Sequence, residues 1–137
     1  MQFSVDLKHL EKMIAHVRGE AKRLKVPAKA VQKMELACEE AIVNIISYAH
    51  PNEFAGIDID CALNDDTHFE VEIRDQGPAF NPLEAEIDPQ MDKSVNDRKI
   101  GGLGIFLIRK LIDEAVYQRE GEVNILRLTL RLEVPDS

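Results

Sequence analysis

Glu40 and Asn44 stand four residues apart in Glu40-Ala41-Ile42-Val43-Asn44, within a run from Lys29 to Ala49 that contains neither Gly nor Pro. Such a run reads as a helix, and residues four apart share one face of it. Their neighbours Ala37, Cys38, Ala41, Ile42, Val43, Ile45 and Ile46 are apolar. A carboxylate and a carboxamide on so apolar a helix need a partner, and magnesium, a water or a nucleotide phosphate would supply one. A carboxylate can act as general base toward a hydroxyl or water. An Asn side-chain oxygen can help hold Mg²⁺, which prefers oxygen ligands and keeps several waters. The competing reading is a helix-surface Glu and an Asn bonded to a neighbouring loop. Glu35 and Glu39 show that acidic residues are common in this stretch.

Two further constellations carry chemistry. In Asp75-Gln76-Gly77-Pro78-Ala79, Asp75 ends an alternating segment. A carboxylate there can accept a hydrogen bond from an exocyclic amino group such as that of adenine. Gly77 would let the backbone approach a flat ligand closely. An ordinary strand-end turn explains the same residues. The other constellation is Gly101-Gly102-Leu103-Gly104 before an apolar run. Backbone amides at a helix N-terminus, free of side chains, cradle phosphate oxygens. The glycines match neither the P-loop nor the dinucleotide fingerprint, because no Gly-Lys-Ser/Thr follows and Ile105, Phe106 and Leu107 stand where another Gly would be required. A glycine hinge or close-packed helix start is the alternative. The histidines His9, His16, His50 and His68 have no metal spacing, and His50 and His68 read as solvated surface.

These residues need a scaffold. Phe3, Val5 and Leu7 alternate as in a short first strand. Leu7, Leu10, Met13, Ile14, Val17, Ala21 and Leu24 recur at helical spacing, so a first helix is expected to about Lys25, broken by Pro27. The second helix should run from about Ala28 to Ala49 and end at Pro51-Asn52. Strand alternation follows at Ile57, Ile59, Cys61 and Leu63, at Phe69, Val71 and Ile73, and late in the chain at Leu126, Leu128, Leu130 and Leu132. Asn64 to Thr67 reads as a turn, and a final hairpin turns near Glu120-Gly121-Glu122. One greasy and one polar face per strand fits a sheet covered by helices on one side. The expected architecture is a two-layer α/β (α+β) sandwich, with three helices on a mixed, largely antiparallel sheet. Pro78 to Lys99 lacks sustained periodicity, and a loop this long in a compact domain is usually functional or mobile.

Composition narrows the function classes. With 137 residues, the chain suffices for one domain, residues 1–137, with one core. Its formal charge of −8 argues against a nucleic-acid surface, which usually carries clustered Lys and Arg. Cys38 and Cys61 each sit in an apolar pattern without a partner at metal-ligand spacing, as buried free thiols do. The N-terminus shows no signal-peptide pattern, and no apolar run approaches the ~18 residues of a membrane span. A cytoplasmic protein without membrane contact is expected.

The order of the three constellations is more specific than any one of them. Glu-x-x-x-Asn on a helix, Asp-x-Gly at a strand end, a variable lid and Gly-x-Gly at a helix start resemble the GHKL ATPases, which share the Bergerat ATP-binding fold. Within them the chain most resembles the stand-alone anti-sigma factor serine-protein kinases. The stretches are Glu40 to Tyr48, Asp75 to Pro82 and Gly101 to Asp113, and the resemblance covers nearly the whole chain. It implies ATP and Mg²⁺ as cofactors and a lid over about 78–101. Glu40 would be the base that activates a serine hydroxyl of a protein substrate. Asn44 would hold the Mg²⁺ that bridges the ATP phosphates. Asp75 would bind the adenine amino group, with Gly77 and Ala79 bordering that pocket. Gly102, Leu103 and Gly104 would give the hinge and phosphate contacts, and Arg98 or Lys99 would reach the γ-phosphate. Two positions depart from the pattern: Ala79 replaces the second glycine of Asp-x-Gly-x-Gly, and Ile100 precedes the glycines, with the basic pair upstream.

The implied partners are a sigma factor and an anti-anti-sigma protein of the STAS class, with a homodimer as the assembly. The kinase would phosphorylate the STAS protein, release it, and hold the sigma factor. The alternative is a non-catalytic ATP-binding module that regulates by sequestration only. An ATPase serving a different switch is a third reading.

Overall fold

A computed structural model describes residues 2–3, 9–48, 56–84 and 104–132. The expected strand beyond Phe3, the helix end at Ala49 and most of the expected lid lie outside the described residues.

Helix α1 spans Leu10–Arg23 and buries Met13, Ile14, Val17 and Ala21, one stripe of an amphipathic helix. Glu11 in its first turn and Lys22 and Arg23 in its last complement the helix dipole. The helix ends before Pro27 takes effect. Lys25 adopts a left-handed φ of 64°. Val26 N–H then reaches back to the Ala21 carbonyl at 2.9 Å and Lys25 N–H to that of Lys22 at 3.1 Å. This is a Schellman stop, with lysine in the position glycine usually takes. Helix α2 spans Ala28–Tyr48 and starts with Val31 N–H donating to the Pro27 carbonyl at 3.0 Å.

Strands β1 (Gln2–Phe3), β2 (Ile57–Asn64), β3 (His68–Asp75), β4 (Glu114–Glu120) and β5 (Val123–Arg131) form one five-stranded sheet in the order β1-β2-β3-β5-β4. All the described pairings are antiparallel, so the sheet is not mixed among these residues. In the β2–β3 hairpin Asp65 and Asp66 take φ of 54° and 60°, the type I′ twist that suits flanking strands. A 3₁₀ turn, Pro82–Glu84, precedes the undescribed stretch, and helix α3, Gly104–Leu111, follows it.

The helices cover one face. Phe69, Val71 and Ile73 of β3, Leu126, Leu128 and Leu130 of β5, and Ile57 and Ile59 of β2 are buried there. They form one core with Met34, Ala37, Cys38, Ala41, Ile42 and Ile45 of α2 and Ile108 of α3. Each fully buried side chain of this kind contributes about 1.5–3 kcal/mol. The other face is ionic: Arg74 pairs with Asp60 and with Glu72 (2.6 Å), and Arg127 with Glu72 (2.9 Å) and Glu70 (3.4 Å).

Candidate active site

Helix α2 packs against α1, α3, β5 and the 3₁₀ turn, so its central residues face the layer between helices and sheet. Asn44 follows Ala37 and Ala41 along the buried stripe and is 0% exposed. Neither its Oδ1 nor its Nδ2 has a hydrogen-bond partner among the described residues. A buried polar atom left without any partner forfeits about 1–3 kcal/mol, so this side chain calls for a water, an ion, a ligand or a protein group beside it. One turn earlier, Glu40 is half-buried. Burial, then the charge of Glu39, push its carboxyl above the usual carboxylate range, which makes the ionised form a stronger base. Among the described residues, no loop group bonds the Asn44 side chain.

Asp75 occupies the last position of β3, on the same face as Phe69, Val71 and Ile73, and is 4% exposed. Its Oδ1 accepts from Gly77 N–H at 2.9 Å and from Asn124 Nδ2 at 3.0 Å. Its Oδ2 has no protein donor among the described residues and remains available as an acceptor. Gly77 is buried within the turn; Ala79 is exposed. Gly104 is the first residue of α3. Gly102, Leu103, Arg98 and Lys99 lie outside the described residues.

Sequence reasoning missed Asn124, Tyr117 and Arg119. Asn124 Nδ2 also donates to the Pro78 carbonyl at 2.9 Å and the Gly77 carbonyl at 3.4 Å. Tyr117 Oη donates to Asn124 Oδ1 at 2.5 Å. An Arg119 Nη donates to the Gly77 carbonyl at 2.8 Å and to Asn124 Oδ1 at 3.1 Å. The one available signal was that Asn124 continues the alternation of Leu126, Leu128 and Leu130; that it lies directly opposite Asp75 is seen only in the fold.

A cavity borders the site at Asp75, and other polar groups lie apart from it. A cavity of about 160 Å³ at the same sheet end is lined by Gly56, Asp58, Arg74, Asp75, Gln76 and Val123. Asp58 and Arg74 belong to the ionic sheet face, and the volume is below that of small-molecule pockets. His68 is half-buried rather than solvated, with its Nδ1 2.8 Å from Thr67 Oγ1. His16 Nε2 lies 3.2 Å from the Ile59 carbonyl. Cys38 is buried and Cys61 half-buried, both as free thiols. No described helix is long and apolar enough to cross a membrane.

The family profile of the histidine kinase-like ATPase domain matches residues 3–130. The chain belongs to that family. Among curated relatives of this ATPase domain, the serine-protein kinase RsbW of Oceanobacillus iheyensis is 30% identical over 112 residues, covering 79% of this chain and 70% of the relative. The serine-protein kinase RsbW of Listeria monocytogenes serotype 4a is 32% identical over 108 residues, covering 75% and 68%. A chain in the crystal structure of the SiaB–SiaC complex from Pseudomonas aeruginosa superposes with a TM-score of 0.63 at 16% identity, covering 95% of this chain and 87% of that one. At that identity the likeness speaks for the fold. Membership in an ATPase family makes ATP the nucleotide to weigh against the geometry.

The donors present fit that nucleotide and its metal. Asn44 offers an unbonded oxygen of the kind Mg²⁺ takes, inside a buried layer. Asp75 offers an unbonded acceptor at the end of the same layer, and Gly104 opens a helix after the glycine-rich stretch.

Proposed function

We infer that the chain is an ATP-dependent serine protein kinase that acts as an anti-sigma factor. It phosphorylates an anti-anti-sigma protein of the STAS class and sequesters a sigma factor. The observation that carries the ATP-using part of this reading is Asn44, a buried carboxamide with neither polar atom bonded among the described residues, one turn from a carboxyl that burial raises above the usual carboxylate range. The serine target rests on the resemblance to the anti-sigma kinases and is supported by the names of the two relatives; the two partners rest on the resemblance.

Each residue has a separate task in this reading. Asp75 Oδ2 accepts the exocyclic amine of adenine. Asn44 Oδ1 holds Mg²⁺, which when bound neutralises charge on the ATP phosphates. Glu40 takes the proton of the attacking serine hydroxyl, and its raised basicity brings it closer to the working pH of a general base. Gly102, Leu103 and Gly104 contribute backbone amides to the phosphates, with Arg98 or Lys99 at the γ-phosphate. Because phosphoryl transfer needs mainly positioning and charge stabilisation, one small domain is sufficient. Residues 1–137 are read as that single domain, acting as a homodimer in the cytoplasm.

The test is transfer from labelled ATP with Mg²⁺ to a STAS partner. Wild type should label a serine of the partner. Glu40→Ala should transfer at least about a hundredfold more slowly while binding ATP with similar affinity. Equal, negligible transfer by both proteins, with the sigma factor still retained, would replace this reading with regulation by sequestration alone.

A further inference from the structure

Asn124 is 4% exposed and pairs through its backbone with Asp75 across β3 and β5. Its side chain is not needed for that ladder, yet it is bonded at both ends. The nitrogen faces three acceptors: Asp75 Oδ1 and the carbonyls of Gly77 and Pro78. The oxygen faces three donors: the Tyr117 hydroxyl, an Arg119 guanidinium nitrogen and the Phe80 amide at 3.4 Å. The two ends of a carboxamide have nearly the same shape and differ only in which donates. Rotating this one by half a turn would set its oxygen against the Asp75 carboxylate and its N–H groups against Tyr117 and Arg119. The surroundings therefore impose one orientation.

That orientation has a consequence for Asp75. Its Oδ1 is filled by two N–H donors, from Gly77 and Asn124, and this fixes the plane of the carboxylate. Only Oδ2 is left, as an acceptor aimed from a rigid support. We propose that Asn124 is a positioning residue for base recognition, locked by Tyr117 and Arg119, which holds Asp75 so that the site selects a base with an exocyclic amine over one with a carbonyl there. The inference rests on reading Asp75 and Gly77 as the adenine end of the site. Asn124 acts through Asp75 and needs no contact with the nucleotide. The two β4 residues, Tyr117 and Arg119, tie the β4–β5 hairpin to the same turn.

Calorimetric titration with ADP and with inosine diphosphate, which carries a carbonyl where adenine carries its amine, tests this on the full chain. Wild type should prefer ADP by at least about thirtyfold, the scale of one hydrogen bond to a charged group. Asn124→Ala should weaken ADP about tenfold and leave inosine diphosphate unchanged, so the ratio collapses by the same factor. Tyr117→Phe removes one of the three donors to Asn124 Oδ1 and should lower the ratio about two- to threefold. A merely structural role would weaken both nucleotides alike and keep the ratio, which overturns the inference while the wild-type preference upholds the site. If Asn124→Ala does not fold, an unchanged ratio in Tyr117→Phe overturns it. Wild type that binds neither nucleotide overturns the site and the inference together.

Discussion

Replacing Asn44 with leucine should stabilise the free protein and remove its response to nucleotide. Asn44 is 0% exposed, and both polar atoms of its side chain are unbonded among the described residues. At the low end of about 1 kcal/mol for each orphaned atom, the free protein forfeits about 2 kcal/mol at this one residue. Leucine branches at the same carbon and brings no polar atom, but its larger volume returns about 1 kcal/mol as strain. The net gain of about 1 kcal/mol corresponds to about 4 °C in melting temperature for a chain of this size. Thermal unfolding with and without MgATP reads both effects. Wild type at a hundredfold excess over Kd should gain about 2.7 kcal/mol by mass action, a rise of about 10 °C. Asn44→Leu should start about 4 °C higher and rise by less than about 2 °C. A variant that melts lower when free, or that keeps the full MgATP response, would show that Asn44 is a satisfied structural amide and not the group that holds the metal.

Other outcomes follow from the same structure. Glu40→Gln should stabilise the free protein, increasingly so as pH rises. The folded carboxyl is raised above its unfolded value, so its favourable contribution is full at low pH and is lost as pH rises through the folded pKa. Urea unfolding at about pH 4 and about pH 7 should therefore show a gap that widens with pH, and a gap that narrows refutes the burial argument. Lys25→Gly should add about 1 kcal/mol to the urea unfolding free energy, because lysine holds the left-handed position of the Schellman stop; a loss would mean that the lysine side chain matters more than its backbone. Burial pushes the Cys61 thiol up to about 12 and Cys38 higher still, so neither should react with iodoacetamide at pH 7.5 at more than about a hundredth of the rate of the unfolded chain, as mass spectrometry would show.

Much of the scaffold was legible because its amphipathic periods are clean. The stripes of α1 and α2 and the alternation of β2, β3 and β5 fixed which faces are buried. The same parity put Asp75 on the helix side, continuous with Phe69, Val71 and Ile73. Asn44 stood out as an amide on an apolar stripe, although only the fold shows that none of the described residues bonds it. Alternation does not carry strand direction, so it is seen only in the fold that every described pairing of the largely antiparallel sheet is antiparallel. β4 is an edge strand whose residues are exposed or half-buried, and its hydrophobic contrast is too weak to read. Asn124 was invisible for a different reason. Its role depends on lying opposite Asp75, 49 residues away in the chain, and that register comes from tertiary pairing.

Calorimetric titration of MgATP into wild type and Asp75→Asn tests the central claim, that the ends of α2 and β3 form an ATP site. Wild type should bind one nucleotide per chain, and Asp75→Asn should bind at least about thirtyfold more weakly, the cost of losing a charge-assisted acceptor and presenting an amide to the adenine amine. No heat of binding in wild type, or equal affinity in the two proteins, would contradict it.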